Sequence, residues 1–208
     1  MRLDGIGDRL RKPIAINGKR DNVVGWAEKL GFYAAMRDAR HGGPFYWDPN
    51  DHYAPPAPGH WCPPVDPAPL HRFRPTVSYP AFSNCELDAR PGDGTFASGD
   101  SIGSINGQLD WADHPSDHPT LWQGLVRTRA ITTAKGVIPA PSYCYADVTP
   151  TRLQNFILPP GRAVAYKVNR LSDMALLQTG TVVTDALGRP TAPHVRIYEK
   201  GTLVTFNP

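Results

Sequence analysis

No run of about 20 consecutive apolar residues occurs in the sequence, which excludes a membrane-spanning helix and argues against a membrane partner. The opening stretch, Met1 to Lys12, carries Arg2, Asp4, Asp8, Arg9 and Arg11 and has no apolar signal core. The expectation is therefore a cytoplasmic chain as written, with a secreted full-length parent as the alternative. A strong charge of one sign is also missing. The 22 Lys plus Arg against 19 Asp plus Glu leave a formal +3, scattered along the chain, which argues against a nucleic-acid partner. Cysteine is scarce: Cys62, Cys85 and Cys144 are odd in number and match no zinc spacing. Cys85 and Cys144 suit a disulfide in an oxidising compartment, and buried free thiols are the plainer reading.

Long helical stretches are few, because 23 prolines and 19 glycines interrupt them and favour short strands joined by turns. What remains is an ordinary globular balance, 40% hydrophobic and 20% charged. The sequence predicts an α+β fold, mostly β, in three parts. Residues 1–55 read as a βαβ unit, 56–75 as a proline-rich linker, and 76–208 as a β-sandwich.

In the first part, Pro13-Ile14-Ala15-Ile16 reads as a buried strand that breaks at Asn17-Gly18-Lys19-Arg20-Asp21. A helix follows, from near Val23 to near His41. Trp26, Leu30, Tyr33 and Arg37 form one helical stripe, which Phe32 and Met36 widen. Gly42-Gly43 suits the helix exit. The aromatic strand Pro44-Phe45-Tyr46-Trp47 then leads to Asp48-Pro49-Asn50-Asp51-His52. With the two strands parallel, Asp21 and His52 leave the carboxyl edge of one sheet, where open α/β sheets place their chemistry. Such a small unit leaves sheet edges and a helix stripe uncovered. It is expected to pack on the sandwich through Trp26, Tyr33 and Trp47, with a homodimer as the fallback.

In the third part the predicted strands are 76–82, 105–111, 121–131, 143–148, 153–158, 163–168, 176–184, 194–198 and 203–206. Turn signals at Pro91-Gly92-Asp93-Gly94, Pro159-Pro160-Gly161 and Glu199-Lys200-Gly201 separate them. Val164, Tyr166 and Val168 alternate with Ala165 and Lys167, so that strand should bury one face.

The segment Ile14-Ala15-Ile16-Asn17-Gly18-Lys19-Arg20-Asp21, followed by Val23-Val24-Gly25-Trp26, resembles the C-terminal end of the α/β-hydrolase fold. There an apolar strand runs into the turn that carries the triad acid. Phe45-Tyr46-Trp47-Asp48-Pro49-Asn50-Asp51-His52 resembles the next strand and the loop of the triad histidine. The resemblance implies Asp21 as acid and His52 as base. It also implies a hydrolase of ester or lactone bonds acting on a small-molecule substrate. Residues 146–156, 180–185 and 201–206 resemble, more distantly, a β-sandwich module appended to bacterial hydrolases. That likeness implies the alternative, a non-catalytic module that contacts carbohydrate or a partner chain.

The family orders its triad Ser, Asp, His, with the serine on a Gly-x-Ser-x-Gly elbow between strand and helix. Only 20 residues precede Asp21, too few for that elbow, so the expectation is a C-terminal fragment or a shortened relative. Gly99-Asp100-Ser101-Ile102-Gly103 matches the pattern, but it follows the histidine and leads into turn and strand. Ser101 is therefore a lesser candidate nucleophile. No cofactor is required by the sequence. A divalent ion, calcium or zinc, would offer metal-bound water in place of the serine, and two ligand sets are candidates. Asp88, Asp93 and Asp100 form an oxygen-rich glycine loop suited to calcium. Asp113, His114, Asp117 and His118 form a repeated Asp-His-Pro. The plainer reading of both is a solvated loop. Trp47, Trp61, Trp111 and Trp122 suit a sugar or acyl pocket, but core packing is the preferred reading.

Overall fold

The computed structural model describes residues 15–40, 43–49, 51, 76–133 and 136–208. His52, Trp61, Cys62 and the proline-rich stretch lie outside these described residues.

The two apolar runs of the first part form strands β1 (Ala15–Gly18) and β2 (Phe45–Asp48). They pair in parallel, from Ala15 opposite Phe45 to Gly18 opposite Asp48. The crossover between them is α1 (Trp26–Asp38), shorter at both ends than its sequence pattern predicts. At the start, Asp21 Oδ1 accepts the amides of Val23 and Val24, which holds those residues in a turn ahead of the helix. At the end, the left-handed exit falls on Arg40 (φ 53°), before the two glycines. The guanidinium of Arg189 donates to Ala39 O at 3.1 Å, and Arg40 pairs with Asp185 at 3.1 Å. These contacts give the carbonyl end of the helix cationic partners, which suits its dipole.

The third part supplies β3 (Tyr79–Ser83), β4 (Gly103–Ile105), β5 (Leu109–Trp111), β6 (Ser116–His118), β7 (Leu121–Thr128) and β8 (Ile131–Thr133). It continues with β9 (Gly136–Ile138), β10 (Tyr143–Thr151), β11 (Ala163–Arg170), β12 (Leu176–Val183), β13 (Ala192–Tyr198) and β14 (Thr202–Asn207). Among the described residues one helix stands against fourteen strands, so the fold is α+β and mostly β.

Two sheets of the third part face each other: β13-β10-β3, and β12-β11-β14-β7-β5 with β6 also on β7. Period-two alternation fills the space between them. Cys144, Ala146 and Val148 of β10 and Val195 and Ile197 of β13 point inward from one sheet. Trp122, Val126, Val164, Val168, Val204 and Phe206 meet them from the other. Val164, Tyr166 and Val168 are buried and Ala165 and Lys167 exposed, as the alternation requires. Each buried Val or Phe contributes about 1.5–3 kcal/mol.

The uncovered edge of the βαβ unit is met within the same chain. β4 pairs antiparallel with β2, Phe45 opposite Ile105 and Trp47 opposite Gly103. Trp26, Phe45, Trp47 and Ile105 form one buried cluster, with Leu30, Phe32, Tyr33 and Ala89 packed against it. Trp26, Tyr33 and Trp47 thus meet Ile105 of β4 and Ala89, in a cluster distinct from the sandwich core on which the sequence predicts they pack. The other face of β2 is buried too: Tyr46 packs on Ile131, and its hydroxyl accepts from Arg129 at 2.7 Å.

Three strand predictions need correction. The stretch 105–111 is two strands, split where Asn106 takes φ 55°. The stretch 121–131 also divides, after Thr128. Residues 153–158 are not a strand. The amides of Gln154, Asn155 and Phe156 all donate to the carboxylate of Asp117, so they join no ladder. β6 and β9 were not foreseen: β6 lies in the stretch read as a solvated Asp-His-Pro loop.

Candidate functional sites

Parallel pairing of β1 and β2 sends the loops that follow them to one sheet edge. Asn22 N lies 3.4 Å from Asp51 Oδ1, so the two loops meet there. β4 runs antiparallel to β2 and begins opposite Trp47. Ser101, two residues before β4, therefore reaches the same edge, and it is exposed. Its loop is fastened down by Lys19, whose Nζ donates to Ser98 O and, at 2.8 Å, to Asp100 O. Trp47 Nε1 donates to the same Asp100 carbonyl at 2.8 Å. Burial draws the Lys19 pKa down from its ordinary value, with Asp100 and Asp93 opposing. The Gly-x-Ser-x-Gly match leads directly into strand β4, so it lacks the strand-to-helix turn that exposes a hydrolase serine.

Asp21 sits at this edge with a buried partner that sequence reading missed. Lys29 Nζ lies 2.7 Å from Asp21 Oδ2, and their side chains are only 8% and 7% exposed. Lys29 also donates to Gly18 O at 2.9 Å. The signal was a lysine on the apolar side of the helix, three residues after Trp26. A burial this deep requires an ionic partner.

Asp88 accepts Asn106 N at 2.7 Å, and burial pushes its carboxyl up to about 7. Asp93 accepts the amide and hydroxyl of Thr95, each at 3.0 Å. Asp100 accepts Arg90 N at 2.7 Å. Asp117 holds the three amides named above. His114 occupies a left-handed turn (φ 57°), and His114, His118 and Asp113 are exposed. Among the described residues no three His, Cys, Asp or Glu side chains gather in a metal-binding group. Cys85 and Cys144 are free thiols in the sandwich core. Contact with Cys144 and burial together push the Cys85 thiol up, which keeps it protonated. Trp47, Trp111 and Trp122 are all buried.

A second arrangement lies on the outer face of the β13-β10-β3 sheet. Outward positions of β10 carry Tyr143 and Tyr145, and those of β13 carry His194, Arg196 and Tyr198. Register puts Tyr143 opposite Tyr198 and Tyr145 opposite Arg196. The ring of Tyr143 lies 6.0 Å, centroid to centroid, from both Tyr145 and Tyr198. His194 stacks flat on Tyr145 at 4.3 Å and 4°. Tyr143 is 45% exposed, and His194 and Arg196 are exposed. Arg196 Nε donates to the Tyr145 hydroxyl at 2.6 Å, and Nη2 donates to the same oxygen. Its Nη1 lies 3.4 Å from the Tyr198 hydroxyl. The hydrogen bond from Arg196 lowers the Tyr198 pKa, since it favours the phenolate. Sequence analysis passed over these five residues. Their signal was aromatic and cationic residues at the outward positions of two strands whose inward positions are apolar.

Comparison with known proteins found no matching family profile, no matching curated protein and no matching solved structure.

Proposed function

We propose that the chain acts as a glycan-contacting β-sandwich module whose ligand surface is the β10–β13 face. The carrying observation is the exposed Tyr143 ring, with the half-buried rings of Tyr145 and Tyr198 each 6.0 Å from it on the outer face of the sheet. Sugar rings present C–H faces that stack on aromatic faces, and phenol hydroxyls serve as polar partners. Sheet positions also give better placement than loops. Retention of the purified chain on a panel of immobilised polysaccharides is the test. At least one should retain it, and Tyr143→Ala should weaken that binding about tenfold with the fold intact by circular dichroism. A chain that no polysaccharide retains, or a variant that binds unchanged, overturns the reading.

A second reading, hydrolysis of an ester or lactone, is favoured by the convergence of three loops on the carboxyl edge of the small sheet. Asp51, the neighbour of His52 in sequence, meets the residue after Asp21 there, and Ser101 reaches the same edge. In this reading His52 is the base, Asp21 orients it, and Ser101 or a metal-activated water attacks the carbonyl. Purified chain should turn over p-nitrophenyl acetate or a simple lactone, and His52→Ala should cut that rate by about a hundredfold or more. Loss on chelation assigns the attack to metal-bound water, and loss in Ser101→Ala assigns it to the serine. Turnover that His52→Ala leaves untouched rules the reading out.

A further inference from the structure

The β10–β13 face carries a charge as well as rings, and we infer that its ligand is an acidic polysaccharide, with a sugar carboxylate seated on Arg196. This inference rests on the module reading above and names its ligand class.

Arg196 is unusual for an exposed arginine. Such side chains ordinarily sample many rotamers or pair with a nearby carboxylate. Here the guanidinium is held at three nitrogens by the phenol oxygens of Tyr145 and Tyr198. It lies 5.0 Å from the ring centroid of Tyr143 and 5.1 Å from that of Tyr145. Among the described residues it meets no carboxylate. The phenols thus orient the cation, and among the described residues no carboxylate compensates it. Asp147 and Glu86, which accept from residues of these strands, are used by the backbone of the sheet. Asp147 accepts His194 N at 2.8 Å, and Glu86 accepts Tyr145 N at 3.0 Å.

The donor count points the same way. A guanidinium has five N–H groups, so donors remain after the phenols are served. The Tyr145 oxygen already accepts twice from Arg196, so its own hydroxyl proton turns outward. Arg170, 5.6 Å from the Tyr198 ring centroid, is already paired with Asp173, so the face offers donors and the Arg196 charge beside its rings. Its complement is an acceptor-rich anion attached to a flat, C–H-bearing ring, which describes a hexuronate unit. A bidentate pairing of carboxylate with guanidinium is the geometry such a site is built for. The ring contacts then hold the pyranose to which the carboxylate belongs. Simple polyanion attraction is a weaker account, because the chain as a whole carries only +3.

The experiment compares polygalacturonate with its methyl ester, the same backbone without the charge. Binding of the full chain is measured by titration calorimetry in buffer free of divalent ions. The free acid should bind at least tenfold more tightly than the ester. Arg196→Gln should erase that preference, and Tyr143→Ala should weaken both polymers. Circular dichroism confirms that each exposed-face variant folds. Equal binding of acid and ester, or a preference that survives Arg196→Gln, overturns the inference. So does a single-stranded oligothymidylate that binds as tightly and loses the same factor on Arg196→Gln, since the face would then read charge alone. If only neutral glycans bind, in a manner sensitive to Tyr143→Ala, the module reading stands and the acidic ligand falls. If no glycan binds, both fall.

Discussion

Trp47→Ala is expected to lower the stability of the whole chain by about 3–5 kcal/mol, the usual cost of truncating a fully buried tryptophan. Trp47 is completely buried, with Trp26 at 5.6 Å and Phe45 at 5.9 Å between ring centroids. Its indole N–H donates to Asp100 O, and its ring lies against Gly103 so closely that a Cβ there would fall 2.5 Å from Cζ2. One side chain thereby joins β2, α1, β4 and the loop carrying Ser101. The substitution removes apolar contact, opens a cavity, and takes from the Asp100 carbonyl one of its donors, leaving Lys19. Urea unfolding followed by tryptophan fluorescence and by circular dichroism measures the effect. A loss near 1 kcal/mol, or two separate transitions in the native chain, would show that the small sheet and the sandwich do not fold as one unit.

Asp88→Asn is expected to stabilise the protein at pH 8 by about 2–4 kcal/mol, an upper-range figure at about 1.4 kcal/mol per pKa unit. Burial raises the Asp88 carboxyl from 3.8 to about 7, against the opposing hydrogen bond from Asn106 N. The folded chain therefore holds one more proton than the unfolded chain between about pH 4 and 7. Stability from this group is present in full below pH 4 and is lost as pH rises through 7. Asparagine keeps an acceptor for Asn106 N and carries no charge, so it removes that slope. Urea titrations at pH 5, 6, 7 and 8 should show native stability falling across this range and the variant flat by comparison. A variant less stable than the native chain at pH 8, or a native profile that rises with pH and is unchanged by the substitution, would contradict the assignment.

Much of the fold was legible because strands report their own burial. Val164, Tyr166 and Val168 announced β11, and the aromatic run Phe45-Tyr46-Trp47 announced a strand, which the structure buries on both faces. The candidate sites were less legible. The Asp21 turn was found from a strand that runs into a carboxylate, but Lys29, its buried partner, looked like any helical lysine. Residues 153–158 have a strand-like pattern, and the carboxylate of Asp117, from another part of the chain, takes their amides away. The Tyr143–Tyr198 face went unseen because no pattern within a single strand says which strand lies beside it.

The sequence by itself determined the local choices: the βαβ order at the start, the short alternating strands after it, and the mostly β class. These follow from side-chain periodicity and from proline and glycine, which act over a few residues. Only the tertiary structure decided that β4 completes the sheet of β1 and β2, and that Lys19 fastens a loop 81 residues away. It alone decided that Arg196 lies among three tyrosines. Such pairings depend on which apolar faces close together in three dimensions, and hydrophobic burial, being non-directional, leaves no partner's name in the sequence.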